Sequence, residues 1–280
     1  MDAERGEATT SHRTSIVSEN PVVAEMTRDN DEILQGTLTH IIHRGEHVHR
    51  TTGEWSPTIH RLLGHLERVG FDAAPRFRGT DADGREILTY VEGDAATRPW
   101  PQELLADSGV AAMAALLRSY HDAVRDYRPE DARWQVFSRA MREDDIVVHG
   151  DFGPWNTIWR LGELSGIIDW DLAHPGRAIE DVAQLAWYIV PMRDNAHARL
   201  CGFEAPPDRS RRLATLCASY PGVAHHDVVA TATWLMRREL EAMRDQGRRG
   251  EEPWASFLRD DQENRVETDL NWILTNGHAL

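Results

Sequence analysis

The chain has 280 residues and a formal net charge of −15, which suits one two-lobed unit or two small domains with ample material for a core. It contains no run of about 18 apolar residues and no hydrophobic signal core near its start, so we expect a cytoplasmic protein that binds no membrane. The acidic charge argues against nucleic acid as a partner, because binding a phosphate backbone requires clustered cations, and it is compatible with a cationic ligand.

The first part of the chain predicts a tail, a hairpin and a helix. Residues 1–30 are polar and lack an apolar period, which predicts a loose tail. Residues 39–44 and 46–51 alternate weakly on either side of Arg44-Gly45, a pattern typical of a β-hairpin. A helix is predicted to follow, with Ser56 as its N-cap, Pro57 at its first position and Gly70 at its end.

A change of composition then divides the chain. Residues 75–80 and 85–91 predict a second hairpin, and the polar, proline-containing stretch after it indicates a boundary between lobes. We therefore expect a tail (1–30), an N-terminal lobe (31–93) and a C-terminal lobe (94–280). In the C-terminal lobe, helical periodicity predicts a long helix over 104–124 and later helices at about 181–189, 208–219, 227–244 and 254–274.

The most informative stretch is residues 147–171, which read VVHGDFGPWNTIWRLGELSGIIDWD. Short apolar runs predict strands at residues 146–148, 157–159 and 164–168, with a turn between the last two. The loop at residues 149–156 contains two glycines and a proline, which exclude a helix there. This loop carries Asp151 and Asn156, and the third strand leads into Asp169.

These three side chains suit phosphoryl transfer. That reaction requires a carboxylate to orient the acceptor hydroxyl and accept its proton, and hard oxygen ligands for the Mg²⁺ that bridges the nucleotide phosphates. Asp151 would be the base, and Asn156 and Asp169 would hold the metal. In the simpler interpretation Asp151 and Asn156 are turn residues that bond to their own backbone, but the Ile-Ile-Asp-Trp sequence that follows favours the catalytic one.

The sequence H-G-D-F-G-P-W-N followed by I-I-D-W resembles the aminoglycoside phosphotransferase family, whose fold is similar to that of protein kinases. The resemblance runs from about residue 34 to the C-terminus and is most specific at residues 149–171. It implies an α+β, two-lobed protein-kinase-like fold with a small antiparallel-sheet N-terminal lobe and a larger, mostly helical C-terminal lobe. It also implies a small-molecule kinase that uses ATP or GTP with Mg²⁺.

The resemblance also assigns residues by position. It makes Asp151 the catalytic base and Asn156 and Asp169 the metal ligands. It gives His149 and Asp181 a part in supporting the catalytic loop, although Asp181 is also a plausible N-cap for the helix that follows.

A kinase-like site also uses a strand lysine that holds the nucleotide phosphates, but this chain has no lysine, and all 31 of its Lys and Arg residues are arginine. Arg50 is the best candidate to replace it, although an exposed edge-strand arginine is an equally good interpretation. In kinase-like folds a glutamate on the following helix pairs with this lysine. The candidates here are His60 and Glu67, and neither fits the pattern well.

The nucleotide hinge and the acceptor site leave weaker signals. Tyr90 and Glu92 lie where the family's hinge backbone contacts the purine, and Asp171 and Glu180 are candidate acceptor ligands. With the acidic charge, these carboxylates predict a cationic, hydroxyl-bearing acceptor, such as an aminoglycoside antibiotic or a basic peptide. Two alternatives stay open: a kinase of a metabolite such as choline, homoserine or a sugar, and a non-catalytic, kinase-shaped binding protein.

Overall fold

The computed structural model describes residues 24–26, 32–35 and 40–280 of the chain. The strands of the first sheet are β1 (Ala24–Met26), β2 (Glu32–Gln35), β3 (His40–Arg44), β4 (His47–Arg50), β5 (Phe77–Thr80) and β6 (Glu86–Thr89). They form an antiparallel sheet in the order β1-β2-β3-β4-β6-β5, and both predicted hairpins are present in it. Strand β1 lies within the range predicted to be a loose tail, and the rest of that range lies outside the described residues.

Helix α1 (Ser56–Arg68) follows β4 and buries the apolar stripe formed by Ile59, Leu62, Leu63 and Leu66. Burying an aliphatic side chain of this size contributes roughly 1.5–3 kcal/mol, which fixes the helix on the core. The predicted cap is wrong by one position: Ser56 is the first helical residue, and Pro57 is the second. The Ser56 hydroxyl instead accepts a hydrogen bond of 2.9 Å from the backbone N–H of Gly53, which closes the preceding turn.

The chain enters the second lobe through a short strand, β7 (Asp94–Ala95). The site region adds β8 (Ile146–Val148), β9 (Thr157–Arg160), β10 (Glu163–Ile167) and β11 (His174–Gly176). Strand β9 pairs with both β7 and β10, and β8 pairs with β11. Gly93, just before β7, has φ +133°, and a Cβ there would lie 2.5 Å from the carbonyl oxygen of Trp159. Only glycine therefore lets the crossing segment approach β9 this closely.

The C-terminal lobe is mostly helical. Its helices are α2 (Gln102–Leu105), α3 (Asp107–Val124), α4 (Ala178–Ile189), α5 (Asn195–Leu200), α6 (Arg209–Ser219), α7 (His225–Asp245), α8 (Trp254–Arg259) and α9 (Gln262–Asn276). Helix α4 packs against α3 and α7, and α7 packs against α9. In the described part of the chain, no helix is both long enough and apolar enough to cross a membrane.

Four helix assignments differ from the predictions. The long helix predicted over 104–124 is interrupted at Ala106, whose backbone is extended, between α2 and α3. The helix predicted over 254–274 is two helices, because the chain turns at Asp261, whose φ is +61°. Helix α5 was not predicted, since six residues carry too little periodicity to detect. Asp181 is not an N-cap: α4 begins at Ala178, so Asp181 lies inside its first turn with its side chain buried.

Candidate active site

Asp181, on helix α4, anchors the loop between β8 and β9. Its carboxylate accepts hydrogen bonds from the backbone N–H groups of His149 (2.7 Å) and Gly150 (3.0 Å), and it also contacts the ring of His121 at 3.0 Å. Gly150 has φ +78°, and a Cβ there would lie 2.2 Å from the carbonyl oxygen of Leu172, so the turn requires glycine. These bonds fix the path of the backbone immediately before Asp151.

His149 ties this loop to the segment after β10. Its Nε2 lies 3.1 Å from the carbonyl oxygen of Ile168, and its Nδ1 accepts a 3.3 Å hydrogen bond from the backbone N–H of Asp151. A neutral imidazole that donates from Nε2 satisfies both contacts. Burial lowers the pKa of His149, which keeps the ring in this neutral form. The side chain therefore links the backbone at Asp151 to the backbone just before Asp169.

The carboxylate of Asp151 is held by two donors. Trp155 Nε1 donates at 3.1 Å and Asn156 Nδ2 donates at 2.7 Å, and both reach the same oxygen, Oδ2. Neither of these donors contacts the other oxygen, Oδ1. Burial and the neighbouring Asp169 carboxylate raise the pKa of Asp151 well above its usual value, whereas the two donors oppose that rise.

The side chains of Asn156 and Asp169 fit a magnesium ion. The Asn156 amide nitrogen is occupied by Asp151, so its carbonyl oxygen, a hard ligand, is turned the other way. Asp169 stands at φ +61° at the end of the hairpin, and about half of its side chain (52%) is exposed in the cleft. The described residues form no cluster of three His, Cys, Asp or Glu side chains suited to a metal. An amide and a carboxylate that leave the other positions to phosphates and water agree with the way proteins bind Mg²⁺.

Arg50 lies inside the site and is not an exposed edge residue. It is only 7% exposed, and its guanidinium contacts Glu86 (2.6 Å), Asp171 (3.0 Å) and Asp169 (3.3 Å). Burial alone would lower the pKa of Arg50, but the carboxylates around it more than offset that effect and raise it. Glu86 in turn contacts Nε2 of His60, from helix α1, at 2.7 Å.

The glutamate that pairs with Arg50 therefore comes from strand β6 and not from the helix. The helix contributes only His60, which reaches Arg50 through Glu86. Glu67, the other helix candidate, forms a surface pair with Arg78 at 3.0 Å and lies outside the site.

A cavity of about 1000 Å³ lies between the lobes and contains the site. Arg50, Tyr90, Asp151, Asn156 and Asp169 line it, as does Asp171. Glu92 does not line this cavity: its side chain is exposed and pairs with Arg160 at 3.0 Å. Of the predicted nucleotide residues, Arg50 and Tyr90 are thus placed to contact a ligand through their side chains.

The two predicted acceptor carboxylates are already paired. Asp171 pairs with Arg50, and burial raises its pKa to about 6. Glu180 pairs with Arg238 at 2.8 Å and accepts from the backbone N–H of Arg177 at the start of α4. Glu180 does not line the interlobe cavity and instead lines a second pocket beside it, together with Arg238. Glu239, on α7, lines the cavity instead.

Together, the sheet, the helical lobe and the loop that presents a held carboxylate to an interlobe cavity define a small-molecule kinase. The chain belongs to the phosphotransferase enzyme family, which matches residues 20–214. A curated relative, the trifolitoxin immunity protein of Rhizobium leguminosarum bv. trifolii, is 37% identical over 199 residues, which cover 68% of this chain and 74% of the relative.

Solved structures share the fold at low sequence identity. An amicoumacin kinase in complex with AMP-PNP and Ca²⁺ is 12% identical with a TM-score of 0.56, over 78% of this chain and 80% of its own. An ethanolamine kinase of Plasmodium vivax is 11% identical with a TM-score of 0.55, over 87% and 82%. A putative aminoglycoside phosphotransferase of Ralstonia eutropha is 14% identical with a TM-score of 0.54, over 91% and 93%. These matches confirm the two-lobed, kinase-like fold.

Proposed function

We propose that this protein transfers the γ-phosphate of ATP or GTP to a hydroxyl of a small cationic molecule, an antibiotic or toxin that it thereby inactivates. The observation that carries the proposal is the Asp151 carboxylate, which lines the cavity half-buried, with one oxygen fixed by Trp155 and Asn156. A carboxylate held in this way orients an acceptor hydroxyl and accepts its proton as the phosphate moves.

Each of the other residues has a part in this proposal. Arg50, anchored by Glu86, grips the nucleotide phosphates in place of a lysine. Asn156 and Asp169 would hold Mg²⁺, which when bound neutralises charge on the phosphates. Tyr90 lines the cavity beside the hinge, where a purine would lie. The reaction would take place in the cytoplasm, where the nucleotide is supplied.

Two observations support an antibiotic or toxin as the acceptor. The chain is strongly acidic, with a net charge of −15, which attracts cations. The relative that is 37% identical carries a name that assigns it immunity to trifolitoxin. A metabolite kinase is the second candidate, because the fold is shared with an ethanolamine kinase. A binding protein without activity is disfavoured, since such a protein has no use for a held base.

The test is phosphoryl transfer by the full chain. Purified protein with Mg²⁺ and either ATP or GTP is incubated with basic antibiotics and with metabolite alcohols, and mass spectrometry detects the gain of about 80 Da that one phosphate adds. Asp151→Asn serves as the control, with an expected loss of roughly 10²–10⁴-fold in kcat. If only metabolite alcohols gain phosphate, the second candidate replaces the first. If no acceptor does, the enzymatic proposal fails.

A further inference from the structure

The part of the cavity beyond the catalytic loop is mostly apolar. We call it the acceptor wall and define it by six lining residues: Trp155, Tyr188, Glu239, Met243, Trp254 and Phe257. Three of them are aromatic residues on two helices of the C-terminal lobe, Tyr188 on α4 and Trp254 and Phe257 on α8, and the indole N–H of Trp155 donates to Asp151. Trp155 and Tyr188 meet edge to face with their ring centroids 4.4 Å apart. Flat apolar side chains of this kind bind rings and hydrocarbon surface.

Other charged residues line the cavity beside this wall, but each already has a partner. The pairs are Arg193 with Asp269 at 2.7 Å, Arg238 with Glu180 at 2.8 Å, and Glu252 with Arg259 at 2.8 Å. Two of these cations also stack on rings, with Arg193 over Tyr188 and Arg238 over Phe137. Their charges are therefore largely neutralised within the protein and leave little net field for a ligand.

Glu239 differs from these residues. Its half-buried side chain forms no hydrogen bond or ion pair with any other residue in the described part of the chain, although it lines the cavity. It is close enough to the catalytic base for its charge to raise the pKa of Asp151. Burial raises the pKa of Glu239 itself to about 7, and the nearby Arg238 and Arg193 oppose that rise. The Glu239 carboxylate therefore borders the cavity with no ion pair inside the described part of the chain, and a bound cation could form a charge-assisted hydrogen bond with it.

We propose that Glu239 selects an acceptor with a single cationic group set beside aromatic or aliphatic surface, and that the site discriminates against polycations such as aminoglycosides. One ammonium or guanidinium would pair with Glu239 while the apolar body of the same molecule lies against the acceptor wall. A polycation would bring several hydrated charges to a wall with a single carboxylate, and that carboxylate cannot offset the desolvation of all of them. This inference rests on the proposed function and narrows its substrate class.

The experiment measures binding first, so that it does not depend on turnover. Isothermal titration of the full chain with AMP-PNP and Mg²⁺ uses three probes: the peptide amide Phe-Ser-Phe with a free N-terminus, its N-acetylated form, and kanamycin. The free peptide carries one cation, the acetylated peptide none, and kanamycin several. We expect the free peptide to bind at least about tenfold more tightly than either of the others.

Glu239→Gln is the decisive variant, and Glu241→Gln, an exposed residue of the same helix, matches its change in net charge. Glu239→Gln should weaken the free peptide about tenfold, to the level of the acetylated one, and Glu241→Gln should not. In the unmodified protein the affinity should rise between pH 6 and 7, as Glu239 ionises among Arg238, Arg193, Asp269 and Asp151 while the α-amino group of the peptide, with a pKa of about 7.7–8.0, stays mostly charged. That rise should disappear in Glu239→Gln.

Two results would overturn the inference: kanamycin binding as tightly as the free peptide, or Glu239→Gln leaving the peptide affinity unchanged. Mass spectrometry of the same mixtures, with ATP in place of AMP-PNP, tests the proposed function separately. A protein that ranks the probes as expected but phosphorylates no acceptor would support the binding site and defeat the kinase proposal. Phosphorylation of kanamycin in preference to the peptide would support the kinase proposal and defeat the inference about Glu239.

Discussion

At the scale of single residues, Trp155 is the least expected member of the site. Its indole N–H donates to Asp151, and its ring packs against Tyr188. The ring can fold back over the loop only because residue 153 is glycine, since a Cβ there would lie 2.3 Å from the indole. The Gly-Pro-Trp sequence therefore places the indole N–H against the carboxylate of Asp151, the proposed base.

Trp155→Phe tests this role, because it keeps an aromatic ring and removes the N–H. We expect kcat to fall roughly tenfold, which corresponds to about 1.4 kcal/mol, since the carboxylate loses one of the two donors that orient it. The KM for nucleotide should not change. Steady-state kinetics measure both quantities, and an unaltered kcat would mean that the indole only fills space.

The metal pair leads to a second prediction at this scale. Asp169→Asn should raise the Mg²⁺ concentration that nucleotide binding requires, because a carboxylate holds Mg²⁺ more strongly than an amide. Asn156→Ala should raise it less, but should also lower kcat, because Asn156 donates to Asp151 as well. Mg²⁺ titrations of nucleotide binding, read alongside kcat, separate the two effects. Equal titration curves for both variants and the unmodified protein would show that neither residue is a ligand.

A place in the site could be predicted for Asp151, Asn156 and Asp169 because one continuous stretch of the sequence carries all three. No such prediction was possible for Glu86, Trp155 or Glu239. Glu86 faces Arg50 through the pairing of two strands separated by a helix, and Glu239 reaches the cavity through the packing of α7 against α4. Such contacts depend on tertiary packing, which no local pattern encodes. Trp155 gave no signal because a tryptophan in a loop more often packs than donates to a base.

At the scale of elements, the anchoring of Arg50 depends on strand register. Arg50 and Glu86 are direct partners across β4 and β6, so their side chains lie on the same face of the sheet. Helix α1 adds His60, whose ring stacks on Phe77 of β5 with centroids 3.7 Å apart. Arg50, the proposed phosphate-binding cation, is thus positioned by the sheet, and helix α1 supports it through His60.

Glu86→Gln should raise the nucleotide KM and lower kcat, in the same direction as Arg50→Ala, because a positioned guanidinium acts on both binding and the transition state. His60→Ala should have a weaker effect of the same kind, and His60→Gln, which can still donate to Glu86, should restore much of the loss. Glu67→Gln is the control, since Glu67 pairs with Arg78 on the surface. Steady-state kinetics with varied nucleotide decide among these outcomes. Unchanged constants in Glu86→Gln would assign Arg50 a structural role alone.

Element boundaries show the limits of local patterns in the same way. The periodicity of α1, α3 and α7 is long enough to predict those helices, and the two hairpins follow from their turn residues. The break between α8 and α9 lies in a charged stretch where helical spacing continues through Asp261. Only the packing of the two helices at an angle requires the left-handed turn there.

At the scale of the whole molecule, the lobes are joined at the site by the contacts of Arg50 with Asp169 and Asp171.

Neutral histidines are buried beneath the site. His174 is 1% exposed, and burial lowers its pKa to about 4. Its Nδ1 lies 2.8 Å from the carbonyl oxygen of Leu172, which supports the turn after Asp171.

The protein should therefore become less stable as the pH is lowered. An unfolded histidine takes up a proton near pH 6.5, whereas folded His174 does so only near pH 4, so the unfolded chain binds more protons between these values. The free energy of unfolding should decrease as pH drops through this window. The contribution of His174 between pH 7 and 5 is roughly 1–2 kcal/mol.

His174→Asn keeps an N–H donor for Leu172 but cannot titrate. Urea unfolding at pH 7 and pH 5 should show a smaller difference between the two pH values in the variant than in the unmodified protein. The variant should also be less stable at pH 7, because the smaller side chain leaves space in the core. An identical pH dependence in both proteins would mean that other groups account for the loss.

The proposed replacement of the strand lysine by Arg50 has a consequence for chemical labelling. Acyl-phosphate derivatives of ATP and succinimidyl esters react with side-chain amines, and this chain has none. Dicarbonyl reagents attack guanidinium groups, but Arg50 is 7% exposed and bound by Glu86, so more exposed arginines react first. A survey that captures nucleotide-binding proteins through their active-site lysines would therefore pass over this kinase even when its nucleotide site is fully occupied.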